Sequence, residues 1–158
     1  MVEKEMEDPC LEVLRKWIKS LSDGTSGQEV ETSATRGIRL VKAHKGFILC
    51  DMIIHSGLLD KSGHWDVSAM ATLVDMIASF ASYTATSCHQ VTLDLSISYY
   101  STAKVQEEVE IEAKVVGEMD DLTSVIVEVR KKQNGELVAL GKLWMAVARK
   151  NSKQTSKL

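Results

Sequence analysis

A chain of 158 residues has room for one domain, and its 44% hydrophobic and 26% charged residues exclude a disordered chain, a collagen and a disulfide scaffold. Nineteen Lys and Arg against 22 Asp and Glu leave a net charge of −3, which advertises no nucleic-acid partner. No unbroken apolar run reaches the ~18 residues of a membrane helix, so no membrane partner is expected either.

The acidic start, with Glu3, Glu5, Glu7 and Asp8, is unlike a secretory leader. Asp8 and Pro9 suit the cap and first position of a helix, which Leu11, Leu14, Ile18 and Leu21 continue at three- or four-residue spacing. Ser22 to Gly27 reads as a polar connection. From Gly37 the period becomes two. A strand runs through Ile38 to Ala43, His44-Lys45-Gly46 turns the chain, and Phe47 to Ile54 answers with Ile48, Cys50, Met52 and Ile54 on one face.

Val67 to about Tyr83 is the one long central helix, with Val67, Met70, Ala71, Val74, Ile77, Ala78 and Ala81 as its apolar stripe. Its other positions are mostly small, and a helix that is small or apolar all round is a buried one. Strands follow at Gln90–Ser101, Val105–Val116, Leu122–Lys131 and Leu137–Ala148, the last pair joined through Asn134-Gly135. The predicted fold class is α+β: one antiparallel sheet wrapped around a long central helix, with an extra N-terminal helix. Residues 1–35 form the N-terminal helix and linker, 36–149 the folded domain, and 150–158 a polar, flexible tail.

Chemistry has few places to sit. Cys10, Cys50 and Cys88 form no CxxC pair, the four histidines lack ligand spacing, and no metal or cofactor is assigned. Walker, G-x-S-x-G and G-x-G-x-x-G patterns are absent. The run Arg130-Lys131-Lys132 reads as a solvated turn. Asp75 falls in the middle of the buried helix, where a carboxylate is costly unless paired, hydrated or used. It lies roughly 13 Å along the axis from Asp66, so it cannot work with its own helix start, but an antiparallel helix of a second copy would bring the two together. The helix start itself has two readings. Free amides at Val67, Ser68 or Ala69 suit an oxyanion, whereas Asp66 suits an N-cap that would occupy the same amides.

The stretch Gly57 to Asp75, the strand Val91-Thr92-Leu93-Asp94-Leu95-Ser96-Ile97-Ser98-Tyr99 and the closing element Gly135 to Gly141 together resemble the small hotdog-fold acyl-CoA thioesterases. The likeness is to the acyl-coenzyme A thioesterase 13 (thioesterase superfamily member 2) type and its plant counterparts, and it covers about residues 36–149. It implies a hotdog fold, metal-free hydrolysis of an acyl-CoA thioester to free acid and coenzyme A, and a homodimer or homotetramer with sites between subunits. By the same resemblance Asp75 is the acid that orients or activates water, and Thr92 helps to hold that water. Asp60 matches an Asn or Asp position in the preceding loop, and the Val67 N–H polarises the thioester carbonyl. Tyr99, Tyr100, Ser101 and Lys104 belong to a segment that lies along coenzyme A.

Two departures stand out. The family carries His-Gly-Gly or His-x-Gly where this chain has Asp66, Val67 and Ser68, which places an anion where negative charge should develop. Asp120-Asp121 stands where relatives often place a basic residue. The alternative reading is therefore a non-catalytic acyl-CoA-binding or assembly subunit. The chain ends on Ser156-Lys157-Leu158, a peroxisomal address read by an import receptor, so the expected location is the peroxisomal matrix.

Overall fold

The N-terminal helix starts where its cap residues place it. In the computed structural model, which describes residues 8–148, Asp8 accepts from the Cys10 N–H at 2.9 Å and Pro9 opens α1 (Pro9–Ser22). Leu14, Ile18 and Leu21 are buried, and Trp17 packs its ring on Tyr83 at a centroid separation of 5.0 Å.

A second helix, α2 (Glu29–Thr35), forms within the expected linker. The Gln28 N–H donates to the Glu31 carboxylate at 2.9 Å and closes its start. Gly27 permits the approach. Its φ is +104°, and a Cβ there would lie 2.9 Å from Leu21 Cδ2.

Six antiparallel strands follow: β1 (Arg39–His44), β2 (Phe47–Ile53), β3 (Gln90–Tyr99), β4 (Glu108–Met119), β5 (Leu122–Lys131) and β6 (Leu137–Val147). They are ordered β1-β2-β4-β5-β6-β3, so β1 and β3 are the sheet edges. A 3-10 turn at Ser56–Leu58 leads into the long helix α3 (Val67–Thr86). Ile48, Cys50, Met52 and Ile54 are all fully buried, as the alternation predicts. Burial also pushes the Cys50 thiol up to about 12, with Asp51 adding to it, so this sulfur is a packing group.

The helix stripe needs one correction. Burial begins at Met70, while Val67 is 54% exposed at the first turn. By length and composition alone α3 is long and apolar enough to cross a membrane, although Asp75 and its Ser and Thr residues interrupt any unbroken apolar run. Nine of its residues are buried in the fold, as in a core helix. The sheet comes closest at Gly141 of β6, where a Cβ would lie 2.5 Å from Val74 Cγ1. A glycine there lets the helix settle onto the sheet.

Two strands differ from expectation. β4 starts at Glu108 rather than Val105, because Gln106 turns with φ +70° and donates its N–H to the Ile54 carbonyl at 2.8 Å. β3 carries a bulge at Leu93: Thr92 pairs with Met145 and Asp94 with Trp144, leaving Leu93 unpaired between them.

Candidate functional site

Asp66 settles the local reading of the helix start. Its Oδ1 accepts from the Ser68 N–H at 2.8 Å and the Ala69 N–H at 3.1 Å, so it is the N-cap of α3. Those two amides are engaged. The Val67 N–H, at the first helical position, has no acceptor among the described residues, and it sits in an exposed turn. Of the candidate oxyanion donors, Val67 alone keeps its hydrogen free.

Trp65 holds this start in place. It is 2% exposed and bridges to Leu59 across the preceding loop. The Tyr99 hydroxyl reaches the same turn and donates to the Val67 carbonyl at 3.3 Å. Burial, with the Asp66 charge behind it, raises the Tyr99 phenol above its ordinary range, so it stays protonated and able to donate. A side chain expected along coenzyme A thus touches the helix start, through a contact that strand periodicity alone does not reveal.

Asp75 lies half-buried, two turns further along α3 and next to the fully buried Val74. The Thr92 hydroxyl of β3 donates to its Oδ1 at 2.6 Å. That short, charge-assisted bond unites the two residues expected to handle water. It turns one carboxylate lobe toward Thr92 and leaves the threonine oxygen able to accept from a further donor.

Asp60 is placed differently. Its carboxylate accepts from the Ser62 and His64 N–H groups at 2.8 and 3.1 Å, and these bonds hold its carboxyl below the usual range. It shapes the loop before α3, and none of its hydrogen bonds reaches Asp75 or Thr92.

Beyond Tyr99 the chain leaves β3 along the surface. Tyr100 is 61% exposed, Ser101 Oγ donates to the Leu137 carbonyl at 3.1 Å, and the exposed Lys104 donates its N–H to Glu107 at 2.6 Å. Only the Lys104 ammonium in this segment offers a cation to an anionic ligand. The basic run is not simply solvated: Arg130 pairs with Glu128, Lys131 with Glu107 and Glu136, and Lys132 with Asp51 and Glu108. Asp120, in the tight turn between β4 and β5, has φ +53°. Among the described residues no cluster of His, Cys, Asp and Glu suits a metal ion. The terminal Ser156, Lys157 and Leu158 lie outside the described residues.

Val67 and Asp75 are eight residues apart on one helix, about 12 Å of rise. One copy therefore cannot place its own amide and its own carboxylate on one reacting carbon. β3 is an edge of the sheet, and Val91, Leu93 and Leu95 on it are exposed.

Known proteins agree with this architecture. The family profile of the Thioesterase superfamily matches residues 64–138. Acyl-coenzyme A thioesterase 13 of Homo sapiens is 30% identical over 130 residues, which is 82% of this chain and 90% of that protein. The crystal structure of zebra fish thioesterase superfamily member 2 superposes with a TM-score of 0.79 at 24% identity, over 87% of this chain and 98% of that one. A hypothetical thioesterase protein from Streptococcus pneumoniae TIGR4, solved with coenzyme A, superposes with a TM-score of 0.68 at 20% identity over 73% and 88%. With its six-stranded antiparallel sheet folded around α3 as a hotdog, this chain belongs to the Thioesterase superfamily.

Proposed function

We propose that this protein is an acyl-CoA thioesterase, and the observation that carries the reading is the 2.6 Å bond from Thr92 to Asp75. Support comes from the curated relative's name, from the coenzyme A of the Streptococcus pneumoniae neighbour, and from the free amide at Val67. Water held between Thr92 Oγ and the Asp75 carboxylate attacks the thioester carbon, and Asp75 takes its proton. The carbonyl oxygen becomes an oxyanion on the Val67 N–H. As the tetrahedral intermediate collapses, the C–S bond breaks, coenzyme A leaves as a thiol with the proton returned, and the acid is released. No metal is needed for any step.

The two halves of this site come from two copies in an isologous homodimer, or a homotetramer of such pairs, joined along β3. Tyr100, Ser101 and Lys104 line the approach of coenzyme A. Leu93→Glu, which places a charge on the pairing edge, is expected to give monomers by light scattering and to lose turnover together with assembly. The Ser156-Lys157-Leu158 ending supports import into the peroxisomal matrix by its receptor, where the enzyme would serve lipid metabolism. A fluorescent fusion with this ending exposed should be punctate and become diffuse without it.

The decisive experiment is thiol release from a panel of acyl-CoAs by the full chain and by Asp75→Asn. Turnover abolished in the variant supports the reading. Tight binding without turnover by the wild type would overturn it in favour of a non-catalytic acyl-CoA-binding subunit, for which the Asp66 carboxylate beside the Val67 amide would be the cause.

A further inference from the structure

The helix that the sequence did not announce creates a cavity. A groove of about 360 Å³ lies between α2 and the first two turns of α3, with Val30, Ser33 and Ala34 on one wall and Asp66, Ser68 and Thr72 on the other. Its position, size and lining all bear on what it would hold.

Asp66 and Ser68 flank Val67, so the lip of the groove adjoins the N–H that receives the thioester oxygen. Ser68, Thr72 and Asp75 follow one another at spacings of four and three residues and therefore share one stripe of α3. An acyl group whose carbonyl rests on the Val67 N–H has this groove directly beside it. The volume is at the low end of small-molecule pockets, which suits a compact group.

The lining selects further. Buried Ala34 and Leu58 form an apolar floor, at 2% and 1% exposure. Around it stand the carboxylates of Glu29 and Asp66 and, among the described residues, no basic side chain. Asp66 uses Oδ1 for both capped amides, and its Oδ2 makes no hydrogen bond to a described residue. The rim therefore presents acceptors and negative charge. It repels an anionic acyl group and the phosphates of coenzyme A, and it attracts a hydroxyl that donates.

We infer that the α2–α3 groove is the acyl-specificity pocket, and that it selects a compact, uncharged acyl group carrying a hydroxyl donor. The inference rests on the thioesterase reading and names the substrate class for that site. Gly27 has a part in it, since it allows α2 to sit close enough to form the outer wall.

The test compares kcat/KM for hexanoyl-CoA, 3-hydroxyhexanoyl-CoA, 6-hydroxyhexanoyl-CoA, succinyl-CoA and palmitoyl-CoA, using the full chain, Ser33→Trp and Glu29→Gln. A hydroxyhexanoyl ester is expected to exceed hexanoyl-CoA by about tenfold, the worth of one hydrogen bond to a charged acceptor. Succinyl-CoA and palmitoyl-CoA should be poor substrates. Filling the groove with Ser33→Trp should bring the hydroxy-to-alkyl ratio to about one, and Glu29→Gln should raise succinyl-CoA hydrolysis relative to hexanoyl-CoA. Hydrolysis with no hydroxyl preference, or a preference untouched by Ser33→Trp, overturns the groove and leaves the thioesterase reading standing. Failure to hydrolyse any ester overturns that reading. The groove is then judged by thermal-shift binding of the same esters: stabilisation by the hydroxy ester that Ser33→Trp removes supports it, and its absence overturns it.

Discussion

Thr92 and Asp75, seventeen residues apart in the chain, meet at 2.6 Å where the edge strand β3 passes over the middle of α3. The hydroxyl is the donor, so it fixes the carboxylate's orientation through a short, charge-assisted bond.

Asp75→Asn keeps the shape of the pair and removes the base. We expect kcat to fall by about 10²–10⁴-fold, with the thermal midpoint nearly unchanged. Thr92→Val should cost about ten- to a hundredfold, the worth of one hydrogen bond to a charged group, and Thr92→Ser should keep most of the activity. Thiol-release kinetics with a thermal melt of each variant separate these outcomes from misfolding.

Asp66 has two effects that a single substitution can separate. As an N-cap it stabilises α3, and as an anion beside the Val67 amide it disfavours the oxyanion. Asp66→Asn keeps the cap without the charge, so kcat should rise several-fold at nearly constant stability. Asp66→Ala loses the cap and should cost about 1 kcal/mol. Asp66→His with Ser68→Gly, which restores the family pattern, should also raise kcat. Denaturant unfolding alongside steady-state kinetics checks all three.

Asp51 lies 5% exposed under Arg39 and Lys132, with Glu108 completing the cluster. Burial by itself would raise its carboxyl, but hydrogen bonds and charge from Lys132 and Arg39 outweigh that and hold it below the ordinary 3.8. The carboxylate therefore stabilises the fold above the unfolded pKa, and that contribution is lost as pH falls through the lowered folded value. Asp51→Asn should cost about 1–3 kcal/mol at pH 7, and its gap from wild type should shrink below about pH 4. Urea titrations at pH 7 and pH 3 measure the difference.

Gly141→Ala places a methyl 2.5 Å from Val74 Cγ1. Overpacking of this kind costs about 1–3 kcal/mol. Because Val74 immediately precedes Asp75, lifting the helix there should also lower kcat. Gly117→Ala is the control: its nearest outside neighbour would be 4.0 Å away, and little change is expected in either measurement.

Much of the fold is written locally. Asp8-Pro9 marks the start of α1, and the Ile48-Cys50-Met52-Ile54 alternation marks the buried face of the sheet's second strand. α2 is not legible from periodicity, because Glu-Val-Glu-Thr-Ser-Ala-Thr buries only Ala34 and Thr35 and exposes Val30. Gln28 and Glu31, at capping spacing, were the available signal. Val105 reads as strand by hydropathy, yet the left-handed Gln106 beside it makes a turn. Asp75 and Thr92 were each singled out from the chain, one on a helix and one by resemblance, but their contact depends on how β3 crosses α3. Tyr99 is the plainest limit: strand periodicity says nothing of a hydroxyl that bonds the first residue of a helix 32 positions earlier.

The helix length that separates Val67 from Asp75 carries a genetic consequence. Val67 is the first residue of α3, where proline is well tolerated and its N–H is not needed by the helix. Val67→Pro should therefore fold normally and be inactive, as Asp75→Asn is. In the paired arrangement proposed above, a mixed dimer of these two variants would contain one site with an intact amide from one chain and an intact carboxylate from the other. Two dead proteins, unfolded together and allowed to re-pair at random, should recover about a quarter of wild-type activity, and either one alone should recover none.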